Sequence, residues 1–224
     1  MEEELWEACS KGKVKEVRKL LQKSQININW QNQNYYLSTP FYIACYEGYI
    51  DIVKLLLSDQ RIDVNKIDKT GSTSFYVACQ KGNIDIVKLL LNDNRVDFNK
   101  ANENRETSFY LGCQKGQIEI VKLLLNDNRV DINQADKYGW TPFHYACERG
   151  HIEIVKYLLE SGREIDINKN NNGGRTGLDW AKQNGKTDVV KLIESFQNYP
   201  NETRAQLRRE FGNLFIYFFM IFGF

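Results

Sequence analysis

Proline is nearly absent from this chain, with three residues in 224, and histidine is scarcer still, with two, both inside His144–His151. An excess of one charge sign is also missing. The formal net charge is +1, so bulk charge argues neither for a nucleic acid nor for an acidic surface as partner. The N-terminus, "MEEELWEACSKGK", is acidic and has no apolar h-region, so it does not read as a secretory signal. Cysteine occurs five times, and an odd count fits a secreted disulfide framework poorly. A cytoplasmic or nuclear protein with reduced thiols is the expectation. Catalytic signatures are absent too: there is no G-x-S-x-G elbow, no phosphate loop and no Gly-rich nucleotide turn after a strand. "NNGGRTG" (Asn171–Gly177) loosely imitates a phosphate loop, but it lacks the Lys-Ser/Thr pair and reads as a turn. These absences predict a protein that is not an enzyme and carries no cofactor.

What is present is repetition. Hydrophobic residues at 42% and charged residues at 26% are ordinary for a soluble globular protein, but their order is not ordinary. "FYVACQKGNIDIVKLLLNDNRVDFNK" starts at Phe75, and "FYLGCQKGQIEIVKLLLNDNRVDINQ" starts at Phe109, 34 residues later. Threonines at Thr39, Thr73, Thr107, Thr141 and Thr176 mark the same phase, and each is followed nine residues on by Gly48, Gly82, Gly116, Gly150 or Gly185. "EACSKGKVKEVRKLL" carries the pattern around Gly12, which makes six units with a period of 34 to 36 residues. Each unit predicts two short helices separated by a glycine. In the third, Ser74–Gln80 forms the first, entered through Thr73, and "NIDIVKLLL" the second, with a narrow polar stripe at Asp85, Lys88 and Asn92. An acid precedes a base by three residues on that stripe in Asp51/Lys54, Asp85/Lys88, Glu119/Lys122, Glu153/Lys156 and Asp188/Lys191. Such exposed pairs add about 0.2–0.5 kcal/mol each and serve solubility rather than catalysis. Helices this short are marginal alone, so each layer must complete the core of its neighbour.

"GWTPFHYACERGHIEIVKYLLESG" (Gly139–Gly162) resembles the ankyrin repeat, with its β-turn, T-P-L-H-x-A pattern and two antiparallel helices. The resemblance recurs in phase over residues 1–198 and implies an all-α solenoid of stacked antiparallel helix pairs joined by β-turn or hairpin loops, with repeats near 1–33, 34–67, 68–101, 102–135, 136–170 and 171–198. The family pattern is followed unevenly. Tyr42, Tyr76 and Tyr110 replace its histidine, Ser74 and Ser108 its proline, and Gly112 the helix alanine. Arg105 occupies the tight-turn place of Gly71 and Gly139. The extra residue per unit lies after the second helix, in "LLLNDNRVDIN". Glu16 and Lys182, polar at core-phase positions, read as caps.

The family resemblance also places a binding surface on the turn tips and the exposed ends of the first helices. Here those positions are Tyr35, Tyr36, Tyr46 and Glu47 in the second unit, and Lys69, Gln80 and Lys81 in the third. The fourth contributes Glu103, Gln114 and Lys115, the fifth Lys137, Tyr138, Trp140, Glu148 and Arg149, and the sixth Arg175. Aromatic residues flank a polar middle, and Tyr, Trp and Arg are the types enriched at interface hot spots. The implied function is non-catalytic binding of a protein partner along the concave face, as an adaptor or scaffold, by a monomer.

The cysteines Cys9, Cys45, Cys79, Cys113 and Cys147 fall at one phase, one per layer, and read as small core residues rather than metal or disulfide partners. "HYACERGH" (His144–His151) could suggest zinc, but its phase gives both histidines structural roles. The tail, 199–224, differs. Pro200 and Asn201 suit a helix start and Gly212 a stop; "NETRAQLR" (Asn201–Arg208) resembles tails that follow ankyrin arrays in some protist proteins. The apolar run Leu214–Phe224 is 11 residues, about half a bilayer core at about 1.5 Å per residue. Arg204, Arg208 and Arg209 before it keep a membrane-surface reading open. Two alternatives therefore stand beside the adaptor: a membrane-associated scaffold tethered by the tail, and a regulatory fragment of a larger enzyme.

Overall fold

Apolar residues at helical spacing, interrupted every few turns by glycine, leave the chain one economical solution, a stack of helical hairpins. The computed structural model describes the backbone of residues 1–222 and the side chains of residues 1–212; the apolar run Leu214–Phe224 lies outside the described side chains. Helices α1 (Glu2–Ser10) and α2 (Val14–Leu21) form the first pair. Then come α3 (Pro40–Glu47) with α4 (Ile50–Leu57), α5 (Ser74–Lys81) with α6 (Ile84–Leu91), and α7 (Ser108–Lys115) with α8 (Ile118–Leu125). The stack continues through α9 (Pro142–Arg149) with α10 (Ile152–Glu160) and α11 (Gly177–Gln183) with α12 (Thr187–Asn198), and α13 (Pro200–Phe222) follows. First helices pack on first helices from α1 to α11, and second helices on second helices from α2 to α12. The architecture is an all-α solenoid.

Each first helix from α3 onward is nucleated by the threonine that marks the phase. Thr39, Thr73, Thr107, Thr141 and Thr176 accept the backbone N–H three residues on, satisfying an otherwise orphaned donor. Pro40 and Pro142 preset the first turn in α3 and α9. The core is one continuous seam in which Leu5, Phe41, Phe75, Phe109 and Phe143 recur layer after layer. All five cysteines are buried in it as free thiols. Burial raises every one, Cys9 to about 12, so they are neutral packing groups at neutral pH.

The loop after each second helix from α4 to α10 acts as a clamp. In "NDNRVDIN" and its relatives the arginine reaches back to the preceding layer and donates to the carbonyls that end its second helix. Arg61 binds Leu21 O at 3.1 Å, Arg95 binds Leu57 O at 2.9 Å, Arg129 binds Leu91 O at 2.6 Å and Arg163 binds Leu125 O at 3.2 Å. Asp59, Asp93 and Asp127, two residues earlier, orient three of these guanidiniums at 2.6 Å, and that hydrogen bonding lowers their carboxyl pKa. Beside each clamp an asparagine bridges layers. Asn29, Asn65 and Asn99 accept the backbone N–H of Asp63, Asp97 and Asp131 at 2.7–2.8 Å and donate to the carbonyls of Arg61, Arg95 and Arg129.

Three expectations need correction. Of the acid/base pairs on the second helices, only those with the longer glutamate close, Glu119–Lys122 at 2.9 Å and Glu153–Lys156 at 3.1 Å. The three aspartate pairs, one methylene shorter, form no ion pair among the described residues. Gly212 does not end the last helix, which continues to Phe222; an isolated glycine inside a helix costs only about 1 kcal/mol. Nor is the segment before Gly212 free. Leu207 and Thr203 are buried, and Phe211 stacks on Tyr157 with centroids 4.1 Å apart. Arg204 donates to Leu159 O at 3.0 Å and Arg208 meets Glu160 at 3.2 Å, so two of the three tail arginines are committed to α10 and its C-terminus. Among the described residues no helix is long and apolar enough to cross a membrane. Glu16 and Lys182 are exposed and paired with Lys13 and Glu194.

Candidate functional site

The turns between layers are built on Asx motifs. Asn32, Asp68, Asn102, Asp136 and Asn171 each accept a backbone N–H two residues on. The tips then join one another through single backbone hydrogen bonds: Lys69 N–H to Tyr36 O (2.7 Å), Glu103 to Thr70 O, Lys137 to Asn104 O and Asn172 to Tyr138 O (each 3.0 Å). The result is a continuous row of tips along one face. The tyrosines that replace the family histidine tie this row to the first helices. Tyr42 donates to Asp68 at 2.9 Å, Tyr76 to Glu106 at 3.4 Å and Tyr110 to Asp136 at 3.4 Å. Burial, then the neighbouring carboxylates or, for Tyr110, the Tyr145 hydroxyl, raise their pKa and keep them protonated donors. In the fourth unit the Asx residue is the neutral Asn102, and Glu106 supplies the carboxylate instead.

His144 keeps the family role. Its Nε2–H donates to Arg175 O at 3.1 Å, and its Nδ1 accepts from the Thr141 backbone N–H at 3.2 Å. This fixes one neutral tautomer, and burial lowers its pKa. His151 donates to Gln114 O at 3.2 Å, as Asn83 does to Cys45 O and Gln117 to Gln80 O. The His151 ring packs so close to Gly116, which has φ of +73°, that a Cβ there would stand 2.7 Å from it.

The residues singled out from sequence occupy this face in three settings. Tyr35 and Tyr36, at 55% and 70% exposure, and Tyr138, at 58%, stand on tips. Glu47, Lys69, Lys81, Glu103, Lys115, Lys137, Arg149 and Arg175 are also exposed, whereas Tyr46, Gln80, Gln114 and Glu148 are half-buried. Several side chains are already engaged. The Lys81 ammonium stands 4.1 Å from the Tyr46 ring centroid, Lys137 bonds Asn104 at 2.6 Å, and Arg149 pairs with Glu148 at 2.9 Å. Arg175 lies over Trp180 and contacts Gln183.

Trp140 departs from a free flanking aromatic. It is half-buried between Tyr145 and Trp180, with centroids 4.6 Å from each. Tyr110 extends the stack to Tyr145 at 4.7 Å, so Trp140 packs layers together while presenting one edge. Sequence reading passed over Tyr145 and Trp180 because both sit on first helices at positions outside the tip-and-end pattern. Trp6 was missed for another reason: it lies in the first unit, yet it stacks with Tyr35 at 4.6 Å.

A stack of two-helix layers capped by Asx turns, with a row of turn tips as its open face, defines a helical repeat solenoid. The chain belongs to the ankyrin repeat family: the ankyrin-repeats family model matches residues 4–68, 60–136 and 110–203. Comparison with curated proteins gives no match. Among solved structures, the chain is similar to the ankyrin repeat protein EF0377, at 29% identity and a TM-score of 0.79, over 87% of this chain and 98% of that one. It is also similar to a chain of the complex between the predatory endopeptidase Bd0816 of Bdellovibrio bacteriovorus and the immunity protein Bd3460, at 26% identity and a TM-score of 0.71, over 84% of this chain and 95% of that one. An ankyrin repeat domain of Acinetobacter baumannii AYE shares the fold at 22% identity and a TM-score of 0.74, over 84% and 94% of the two chains. Ankyrin repeats as a class are protein-interaction modules, and their fold is typically non-catalytic.

Proposed function

We propose that this protein is a non-catalytic adaptor or scaffold that binds a partner protein along its row of turn tips. The observation that carries this reading is the display of Tyr35, Tyr36 and Tyr138 on tips near the two ends of one hydrogen-bonded row. Large exposed rings cost solubility when they have no partner, and they supply rigid contact area when they have one. Between them the charged side chains Lys69, Lys115 and Glu103 influence encounter rate and salt dependence more than affinity. One structural relative comes from a complex between a predatory endopeptidase and an immunity protein.

Affinity capture from a lysate with the full chain, repeated with Tyr36→Asn and Tyr138→Asn, tests the reading. Asparagine tolerates the left-handed backbone of position 36, so both variants keep the fold. A partner retained by the wild type should weaken about thirtyfold or more in at least one variant, the scale of a hot spot. A partner held with unchanged affinity by the double variant removes the tip row as the binding surface.

A further inference from the structure

At the N-terminal end of the row, α1, the 32–38 turn and α3 enclose a cleft of about 600 Å³. This is the size range of sites that seat a ligand side chain with some of its backbone. Its walls are aromatic. Tyr35 lies against Trp6, whose indole N–H is fixed to Ser38 Oγ at 3.1 Å, and Tyr36, Tyr42 and Tyr46 continue the lining. Its charge is one-sided: Glu3, Glu7, Glu47 and Asp68 line it against Lys11, with Lys81 bordering it over the Tyr46 ring. Lys11 is already paired with Glu7 at 2.8 Å. The carboxylate of Asp68 is buried and accepts from Tyr42, Thr70 and Ser72, all neutral donors. Among the described residues neither it nor Glu3 or Glu47 forms an ion pair. The chain as a whole carries +1, so this local excess of negative charge is not a reflection of bulk composition.

π faces beside uncompensated carboxylates attract a cation twice over, through the ring quadrupole and through Coulomb attraction strengthened by partial desolvation. One ring of the lining shows the preference already, since Lys81 stands over the face of Tyr46. We infer that this cleft takes the arginine or lysine side chain of a basic segment in the partner protein. The inference rests on the proposed protein-binding role and names the chemistry recognised at one end of the row. The row of tips leads away from the cleft, so the flanking residues of such a segment meet Lys69, Glu103 and the tips beyond.

Calorimetric titration of the full chain with a tetra-arginine peptide tests this, with tetra-citrulline as the neutral isostere and an Asp85→Asn chain, which loses an exposed carboxylate on the outer face of α6, as the distant control. Tetra-arginine should bind the wild type and the control alike, at least tenfold more tightly than tetra-citrulline. It should lose at least tenfold in the Tyr36→Asn/Glu47→Gln chain, whose substituted residues are both exposed. No binding of tetra-arginine, equal binding of tetra-citrulline, or equal loss in the Asp85→Asn control overturns the cation site. If the captured partner still depends on Tyr138 while tetra-arginine fails to bind, the cleft inference falls and the adaptor reading stands. If tetra-arginine binds at the cleft while no tip variant affects partner capture, the cation site stands and the adaptor reading falls.

Discussion

Arg105 carries a backbone cost that its sister turns avoid. It holds φ of +64° on an exposed tip where the equivalent Gly71 and Gly139 hold +81° and +78°. A side chain in that region costs about 1–2 kcal/mol, and glycine returns part of the gain through its freer unfolded state. Arg105→Gly should therefore stabilise the chain by about 0.5–1 kcal/mol, read as a higher denaturation midpoint with an unchanged m-value. Two neighbours behave differently from each other. The Ser108 hydroxyl is buried and faces only the weak Cys79 thiol, at the helix position that Pro40 and Pro142 occupy elsewhere. Ser108→Pro should stabilise by about 0.5–1 kcal/mol, since it removes that hydroxyl and presets φ. Gly112 invites the same treatment from sequence, but a Cβ there would lie 3.1 Å from Val121 Cγ2. The Val121 side chain on α8 uses the space, so Gly112→Ala should bring no gain despite its better helix propensity, and a rise in midpoint would show that α8 gives way. His144 adds a pH signature. Its folded pKa is lowered from 6.5 because burial disfavours the imidazolium. Its contribution is then fully present above the unfolded pKa and lost as pH falls below about 6.5 toward the folded value. Melting temperature should drop between pH 7 and 5.5, with a shallower slope in His144→Tyr, which carries the ring of Tyr110.

The helices themselves were legible because their phase repeats. Thr at the cap, in five units, and Gly at the break and an apolar run in the second helix, in all six, each have one local consequence, and their agreement removes the ambiguity of any one copy. The clamp loops were not legible in the same way. Asp93-Asn94-Arg95 reads as exposed polar spacer, because its meaning lies in carbonyls 38 residues earlier at Leu57. The signal was there in the recurrence of Asp-x-Arg at Asp59, Asp93 and Asp127. A similar limit applied to the binding face. The exposed tips at Tyr35, Tyr36 and Tyr138 followed from their turn positions, whereas the stack of Trp140 on Trp180 depends on how neighbouring layers meet. The clamp makes its own prediction. Arg129→Ala frees the last carbonyl of α6 and removes the partner of Asp127. The group is exposed, so screening keeps the loss small. Thermal melts of Arg61→Ala, Arg129→Ala and the double variant should show separate and nearly additive losses, because these two clamps share no layer.

At the scale of the molecule, a solenoid has only nearest-neighbour contacts to share stress, and that makes its ends the place where stability is set. At the N-terminal end the exposed face of α2 is polar, with Glu16 paired to Lys13. At the C-terminal end α13 instead lies against α10 and α12. Its residues up to Phe211 bury Thr203 and Leu207, stack on Tyr157 and donate to Leu159 O, so this portion packs across the second helices of the last two layers rather than forming an appendage. Removing residues 200–224 should thus expose the apolar side of α10 and α12, while removing only 213–224 leaves every contact named above in place. Hydrogen exchange distinguishes the two truncations. The shorter chain should lose protection most strongly in 152–198, progressively less through α8 and α6, and least in α1–α4, since opening propagates layer by layer from the uncovered end. The chain ending at Gly212 should keep wild-type protection throughout. Uniform loss across all layers in the shorter chain would mean that the array unfolds as a single cooperative block. Unchanged protection in 152–198 would mean that α12 closes the array without help and that α13 contributes nothing to its stability.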